Sequence, residues 1–125
     1  MIIDTYALVE LLKNTEKGKK VANILLRERC YTCITSLAEI AEWAIKNNLE
    51  DKLEKYISDI KIASTILYLN ERIAMLAGRV NCERKRMVKN WGMMDSFITA
   101  LANLANLKIL TGDKHFKDLS NVVML

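Results

Sequence analysis

Four carboxylates in this chain of 125 residues stand where the carboxyl edge of a parallel sheet would present them to a ligand. Asp4 ends the opening apolar run, Met1-Ile2-Ile3. Asp95 falls in the first turn of the helical segment that follows Gly92, and Asp113 follows the apolar run 108–111. Glu39 lies between them, inside Thr35-Ser36-Leu37-Ala38-Glu39-Ile40. Four converging carboxylates would repel one another, and their pKa values would rise. Hard divalent cations such as Mg²⁺ or Mn²⁺ remove that penalty and prefer oxygen ligands. One or two such ions could activate a water and stabilise the leaving oxygen of a phosphodiester. The residue types alone allow a second reading, with Asp4 and Asp113 as helix caps and Glu39 completing a capping box with Ser36.

Other chemistry-bearing residues are weighed against these acids. The basic run Arg79, Arg84, Lys85, Arg86 and Lys89 leads into Asp95, with Asn81 and Trp91 nearby. It reads either as a rim for phosphates, with Trp91 stacking on an unpaired base, or as a solvated helix end whose cations complement the dipole. Cys30-Tyr31-Thr32-Cys33 has C-x-x-C spacing but falls in an expected strand, where positions three apart face opposite sides. Buried packing is expected there rather than redox or zinc chemistry. His115 is the only histidine and is not needed as a base where a metal ion activates water. Thr99, one helical turn after Asp95, faces a ligand or back-bonds the helix.

The elements that must position these residues alternate between short strands and helices. Strands are expected at 1–4, 30–35, 65–69 and 108–111, with an edge strand at 122–125. Thr5 is read as the cap of a first helix, and a second runs over about 17–29. Thr35 or Ser36 caps a third helix to about residue 47, and a fourth covers about 49–60. Asn70 caps a fifth helix with Ile73, Leu76, Ala77 and Val80 at helical spacing, and a sixth covers about 94–106. The alternation predicts one domain, 1–125, as a three-layer α/β/α sandwich on a mostly parallel sheet of four or five strands.

The bulk properties set outer bounds. The chain carries 19 basic and 15 acidic residues, a net charge of +4. Withdrawing the four acids to metal leaves +8 on the rest, which suits a polyanionic partner; alternatively the mild net charge serves solubility. Three cysteines, an odd number, suit a reducing compartment rather than a disulfide framework. No apolar run is long enough to span a membrane and the N-terminus lacks a basic signal-like region, so a cytoplasmic protein is expected.

The segments 2–12 (IIDTYALVELL), 36–43 (SLAEIAEW) and 95–116 (DSFITALANLANLKILTGDKHF) together resemble the PIN-domain ribonucleases of the VapC toxin type. The resemblance spans the chain. It implies a PIN-like, flavodoxin-like fold and a metal-dependent endoribonuclease. It implies that Asp4 and Asp95 are the principal Mg²⁺ ligands, that Glu39 and Asp113 complete the site, and that Asp118 is peripheral. Thr5 and Thr111 match hydroxyl positions beside those acids and, with Thr99, Lys85 and Arg86, are expected near the substrate. The implied reaction leaves a 5′-phosphate and a 3′-hydroxyl. Such proteins cut tRNA or rRNA, are blocked by a protein antitoxin and form homodimers. An antitoxin peptide could lie in a groove between the second helix and the 37–60 hairpin. An RNA-processing nuclease without an antitoxin, and a non-catalytic RNA- or protein-binding module, are the alternatives. A phosphorylated receiver domain is disfavoured because the third strand ends in Leu69-Asn70 rather than an aspartate.

Overall fold

A computed structural model describes residues 1–125. The chain forms β1 (Ile2–Ile3), α1 (Thr5–Leu12), α2 (Glu16–Arg27), β2 (Tyr31–Cys33), α3 (Ile34–Lys46) and α4 (Leu53–Ala63). It continues through β3 (Thr65–Leu67), α5 (Glu71–Lys85), α6 (Met93–Ala105), β4 (Ile109–Thr111) and β5 (Val122–Met124). Short 3₁₀ turns cover Glu50–Lys52 and Lys114–Phe116. All four strand pairings are parallel and the spatial order is β3-β2-β1-β4-β5. The expected α/β sandwich is therefore present, and its sheet is wholly parallel.

Strand alternation sorts the core into two layers. Ile2, Cys33 and Ile109 pack with Ile73, Ala77, Ile98 and Leu101 on the α5–α6 face. Ile3, Cys30 and Leu110 pack with Leu8, Val21, Ile40 and Ile60 on the α1–α4 face. Cys30 and Cys33 thus belong to opposite cores, as the strand argument requires. Gly18 allows α2 to cross close to α1: a Cβ there would collide with the Glu10 carbonyl.

Several helix starts differ from expectation. Thr15 caps α2 through its hydroxyl, which accepts from the Gly18 amide at 3.0 Å. Asn70 caps α5 as expected, accepting from the Ile73 amide at 2.9 Å. Thr5 is instead the first helical residue of α1, with Asp4 at the cap position. Helix α3 starts at Ile34, directly after β2, so Thr35 and Ser36 lie inside it and Glu39 is no part of a capping box. Its entry is set by the end of the strand and by packing rather than by a polar cap.

The strand order places a topological switch between β1 and β4. From β1 the chain goes outward to β2 and β3, then returns to β4 on β1's other side. Ligands of open parallel sheets sit at the carboxyl ends of strands beside such a switch. Asp4 and Asp113 follow β1 and β4 at that point.

Candidate active site

Asp4 is fixed by the sheet before its side chain does anything. Its amide donates to the Leu110 carbonyl at 3.0 Å, extending the β1–β4 ladder. That brings its carboxylate beside Thr111, whose hydroxyl donates to Asp4 Oδ2 at 2.7 Å. The Thr111 hydroxyl also accepts from the Asp113 amide at 3.0 Å, so one fully buried side chain ties both sheet-edge acids together. Gly112 between them lies against the Tyr6 ring, where a Cβ would collide with the ring edge.

The other two acids come from helices. Asp95 stands in the first turn of α6, and its Oδ2 accepts from the Gly92 amide at 3.1 Å. Glu39 projects from α3 and accepts from the Thr5 hydroxyl at 2.7 Å.

The acids act on one another's charge. Burial pushes Asp4 up to about 6; its bonds from Thr111 and Thr5 oppose this, and the charges of Asp95 and Glu39 add to it. Burial also raises Asp95, with the Asp113 charge acting in the same direction. Glu39 is raised by burial, against the Thr5 hydrogen bond and with help from Asp95 and Glu42. The coupling runs Glu39–Asp4–Asp95–Asp113 across the sheet edge. No three acid, histidine or cysteine side chains are grouped tightly enough to hold a metal ion as they stand. The donor set nevertheless fits a hard divalent cation: the side chains are carboxylates, one nearly buried, and each of three is destabilised by another's charge.

The hydroxyls singled out in the sequence serve the acids themselves. Thr5 orients Glu39 and Thr111 bridges Asp4 to Asp113. Thr99 is buried and donates to the Asp95 carbonyl at 2.8 Å, so its hydroxyl is engaged inside α6. His115 stands with Nδ1 2.9 Å from Asp113 Oδ1, and its amide donates to the same oxygen at 2.9 Å.

The basic run divides. Lys85 and Arg86 are exposed at the end of α5. Arg84 is buried: its guanidinium donates to Asp118 at 2.7 and 2.9 Å and to the His115 carbonyl at 2.9 Å, and lies 4.5 Å from the Trp91 ring centroid. Asp118 is therefore engaged by Arg84. Trp91 is only 3% exposed, which corrects the expectation that it stacks on a base. Its ring packs on Phe116 at 5.0 Å between centroids, and its indole N–H donates to Ser96 at 2.7 Å. Ser96 donates onward to Asn81 Oδ1 at 3.0 Å. Sequence reasoning missed this Asn81–Ser96–Trp91 and Arg84–Asp118 network. It fastens the end of α5 to the start of α6 and to the 113–118 turn, hence behind Asp95 and Asp113.

Two surface grooves flank the acids. One, of about 390 Å³, includes Thr5 and Glu39; the other, of about 570 Å³, begins at Lys114 and His115 beside Asp113. A third, of about 670 Å³, lies away from the acids between α1, α2 and α4 and is largely apolar, with Leu11, Leu25, Leu26, Tyr56 and Ile62 in its lining.

Fold and site together define a wholly parallel α/β domain with an acidic ligand-facing edge at its switch point. The PIN domain family model matches residues 1–122, and the chain belongs to that family. Among solved structures it resembles a toxin–antitoxin complex from Klebsiella pneumoniae, with 22% identity over 98% of this chain and 95% of that one, at a TM-score of 0.76. It also resembles VapBC2 from Rickettsia felis bound to a DNA fragment from their promoter, with 16% identity over 99% and 96% of the two chains, at a TM-score of 0.77. VapBC-1 from nontypeable Haemophilus influenzae is similar at 22% identity over 99% and 95%, with a TM-score of 0.73. No curated protein matches the sequence significantly.

Proposed function

We propose that this protein is a metal-dependent endoribonuclease of the VapC type, the toxin of a toxin–antitoxin pair that inhibits translation by cutting tRNA or rRNA. The observation that carries the reading is the set of four acids, delivered by β1, α3, α6 and β4 to one sheet edge, where burial and mutual charge raise three of them. Asp4 and Asp95 are the principal candidates to hold one or two Mg²⁺ or Mn²⁺ ions, with Glu39 and Asp113 completing the set. When bound, the metal supplies an activated water and balances charge developing on the phosphodiester. The chain's own groups set up that binding. Thr111 and the Thr5 amide hold Asp4 toward its ionised form, and the Thr5 hydroxyl does the same for Glu39. The Gly92 amide acts likewise on Asp95. His115 and Thr111 fix Asp113.

The toxin role is supported by family membership, by the likeness to the toxin–antitoxin complexes and by the apolar groove between α1, α2 and α4. Leu26 and Ile62 there are 85% and 82% exposed, which suits an apolar peptide of an antitoxin. A homodimer in the cytoplasm accompanies this reading. No helix is long and apolar enough to cross a membrane.

The test is cleavage of total RNA by purified protein with Mn²⁺, with Mg²⁺ and with EDTA, beside Asp95→Asn. Metal-dependent cleavage that disappears in the variant is the expected result, and sequencing the new ends then identifies the target. Equal cleavage by both proteins would remove the site assignment. No cleavage by either would favour a binding module.

A further inference from the structure

The two grooves beside the acids carry opposite charge. The one at Glu39 presents Glu10, Glu39 and Glu42 against a single lysine, Lys46, which is held by Glu42 at 2.8 Å. The one at Asp113 is walled by the α5–α6 connection and the 114–118 turn, with Lys89, Lys114 and Lys117 in its lining. All three lysines are exposed and none forms an ion pair. The groove's one acid, Asp118, is taken up by the buried Arg84 guanidinium and does not cancel them. Arg84 also bonds the His115 carbonyl and covers Trp91, so both walls are fastened to one another and the lysines project from a fixed frame. Met87, 71% exposed on the same wall, offers apolar surface to a ribose or base.

We propose that the groove lined by Lys89, Lys114 and Lys117 binds the sugar–phosphate backbone of a single RNA strand whose scissile phosphate lies at Asp4, Glu39, Asp95 and Asp113. This rests on the nuclease reading above. It gives the site a direction: the backbone leaves the acids past Asp113, over the α5–α6 connection, and not past Glu39, where no lysine is free and Glu10 and Glu42 already hold Lys13 and Lys46. Lys85 and Arg86 line neither groove.

Single-strand binding loses about 0.7 from the slope of log K against log salt for each phosphate contact removed, so deleting three contacts lowers the slope by about 2. The measurement is fluorescence anisotropy of a labelled, mixed-sequence RNA of about 20 nucleotides with the Asp95→Asn protein in Mg²⁺, across a salt series. One triple variant carries Lys89→Ala, Lys114→Ala and Lys117→Ala. A charge-matched control carries Lys20→Ala, Lys52→Ala and Lys61→Ala, three exposed lysines on other elements. A slope reduced by about 2 in the groove variant, with the control close to the parent, is the expected result. Equal reductions in both variants, or none in either, overturn the path while metal-dependent cleavage by the wild type leaves the nuclease reading standing. A parent protein that neither binds this RNA nor, as wild type, cuts total RNA overturns both.

Discussion

Replacing Asp4 by asparagine removes a charge that the metal-free fold holds at a disadvantage near neutral pH. The carboxyl is nearly buried and is raised from its ordinary 3.8 to about 6, first by burial and then by its acidic neighbours. About two pKa units at 1.36 kcal/mol each amount to about 3 kcal/mol. Because the folded-state value lies above the unfolded one, the native protein binds this proton more tightly. The stabilisation from the protonated form is fully present below about pH 4 and is lost as pH rises through about 6. The amide of Asp4→Asn keeps an oxygen for the Thr111 hydroxyl, so little else changes locally. In EDTA at about pH 7.5 the variant is expected to be about 2–3 kcal/mol more stable than wild type, or roughly 10 °C higher in Tm. The difference fades toward about pH 4. Mg²⁺ should close that gap by stabilising only the wild type, by about 2.7 kcal/mol at one hundred times its dissociation constant, and reverse the order at one thousand times, where the gain is about 4.1 kcal/mol. Urea denaturation at about pH 4.5, 6 and 7.5, with and without Mg²⁺, reads all of this. A variant less stable than wild type in EDTA at the highest pH, with no pH dependence in the difference, would refute the claim that Asp4 is a disfavoured buried charge.

Four further substitutions test the same geometry. Thr111→Val leaves the Asp113 amide and Asp4 without their shared partner, so denaturation should show a loss of about 1–3 kcal/mol. Because that hydroxyl holds Asp4 down, the acidic limb of the cleavage pH profile should also move to higher pH. Arg84→Met removes the ion pair to Asp118, the bond to the His115 carbonyl and the cover over Trp91, and should lower stability by about 2 kcal/mol. Asp118→Asn should cost less than Arg84→Met in the same thermal melts, because Asp118 is half exposed and keeps an acceptor. Ser36 is fully buried and its hydroxyl has no partner, so Ser36→Ala should raise stability by about 1 kcal/mol in urea denaturation; a loss would mean the hydroxyl is satisfied in solution.

What could be read from the sequence follows from how local each signal is. Element order was legible because apolar periodicity changes between strand and helix within a few residues, as at 65–80, where β3 gives way to an Asn-capped α5. Breaks were harder in a chain with no proline and four glycines. Asparagine takes glycine's usual place at the sharp turns. Asn14, Asn48, Asn90 and Asn106 are the four residues with positive φ, and Asn106 closes α6. The capping box expected at Ser36 and Glu39 failed because α3 begins straight from β2. There, tertiary placement overrides the local motif and frees Glu39 to meet Thr5 on another helix.

The positions of Asp4 and Asp113 could be inferred because acids at strand ends have few places to go in a parallel sheet. Their linkage through Thr111 could not, since it depends on β1 and β4 being neighbours with Ile3 opposite Leu110. Arg84 shows the reverse case, in which a partial signal was present. The buried residues of α5 are Ile73, Ala77, Asn81 and Arg84, so the apolar stripe continues through two polar side chains at the same helical spacing. Read as a charge run, Arg84 belongs with Lys85 and Arg86 on the surface. Read by helical phase, it belongs to the buried face, where a cation must find partners. Asp118, the His115 carbonyl and the Trp91 ring supply them. Phase therefore separates a cation that braces the acid-bearing segments from the neighbouring cations that stay exposed.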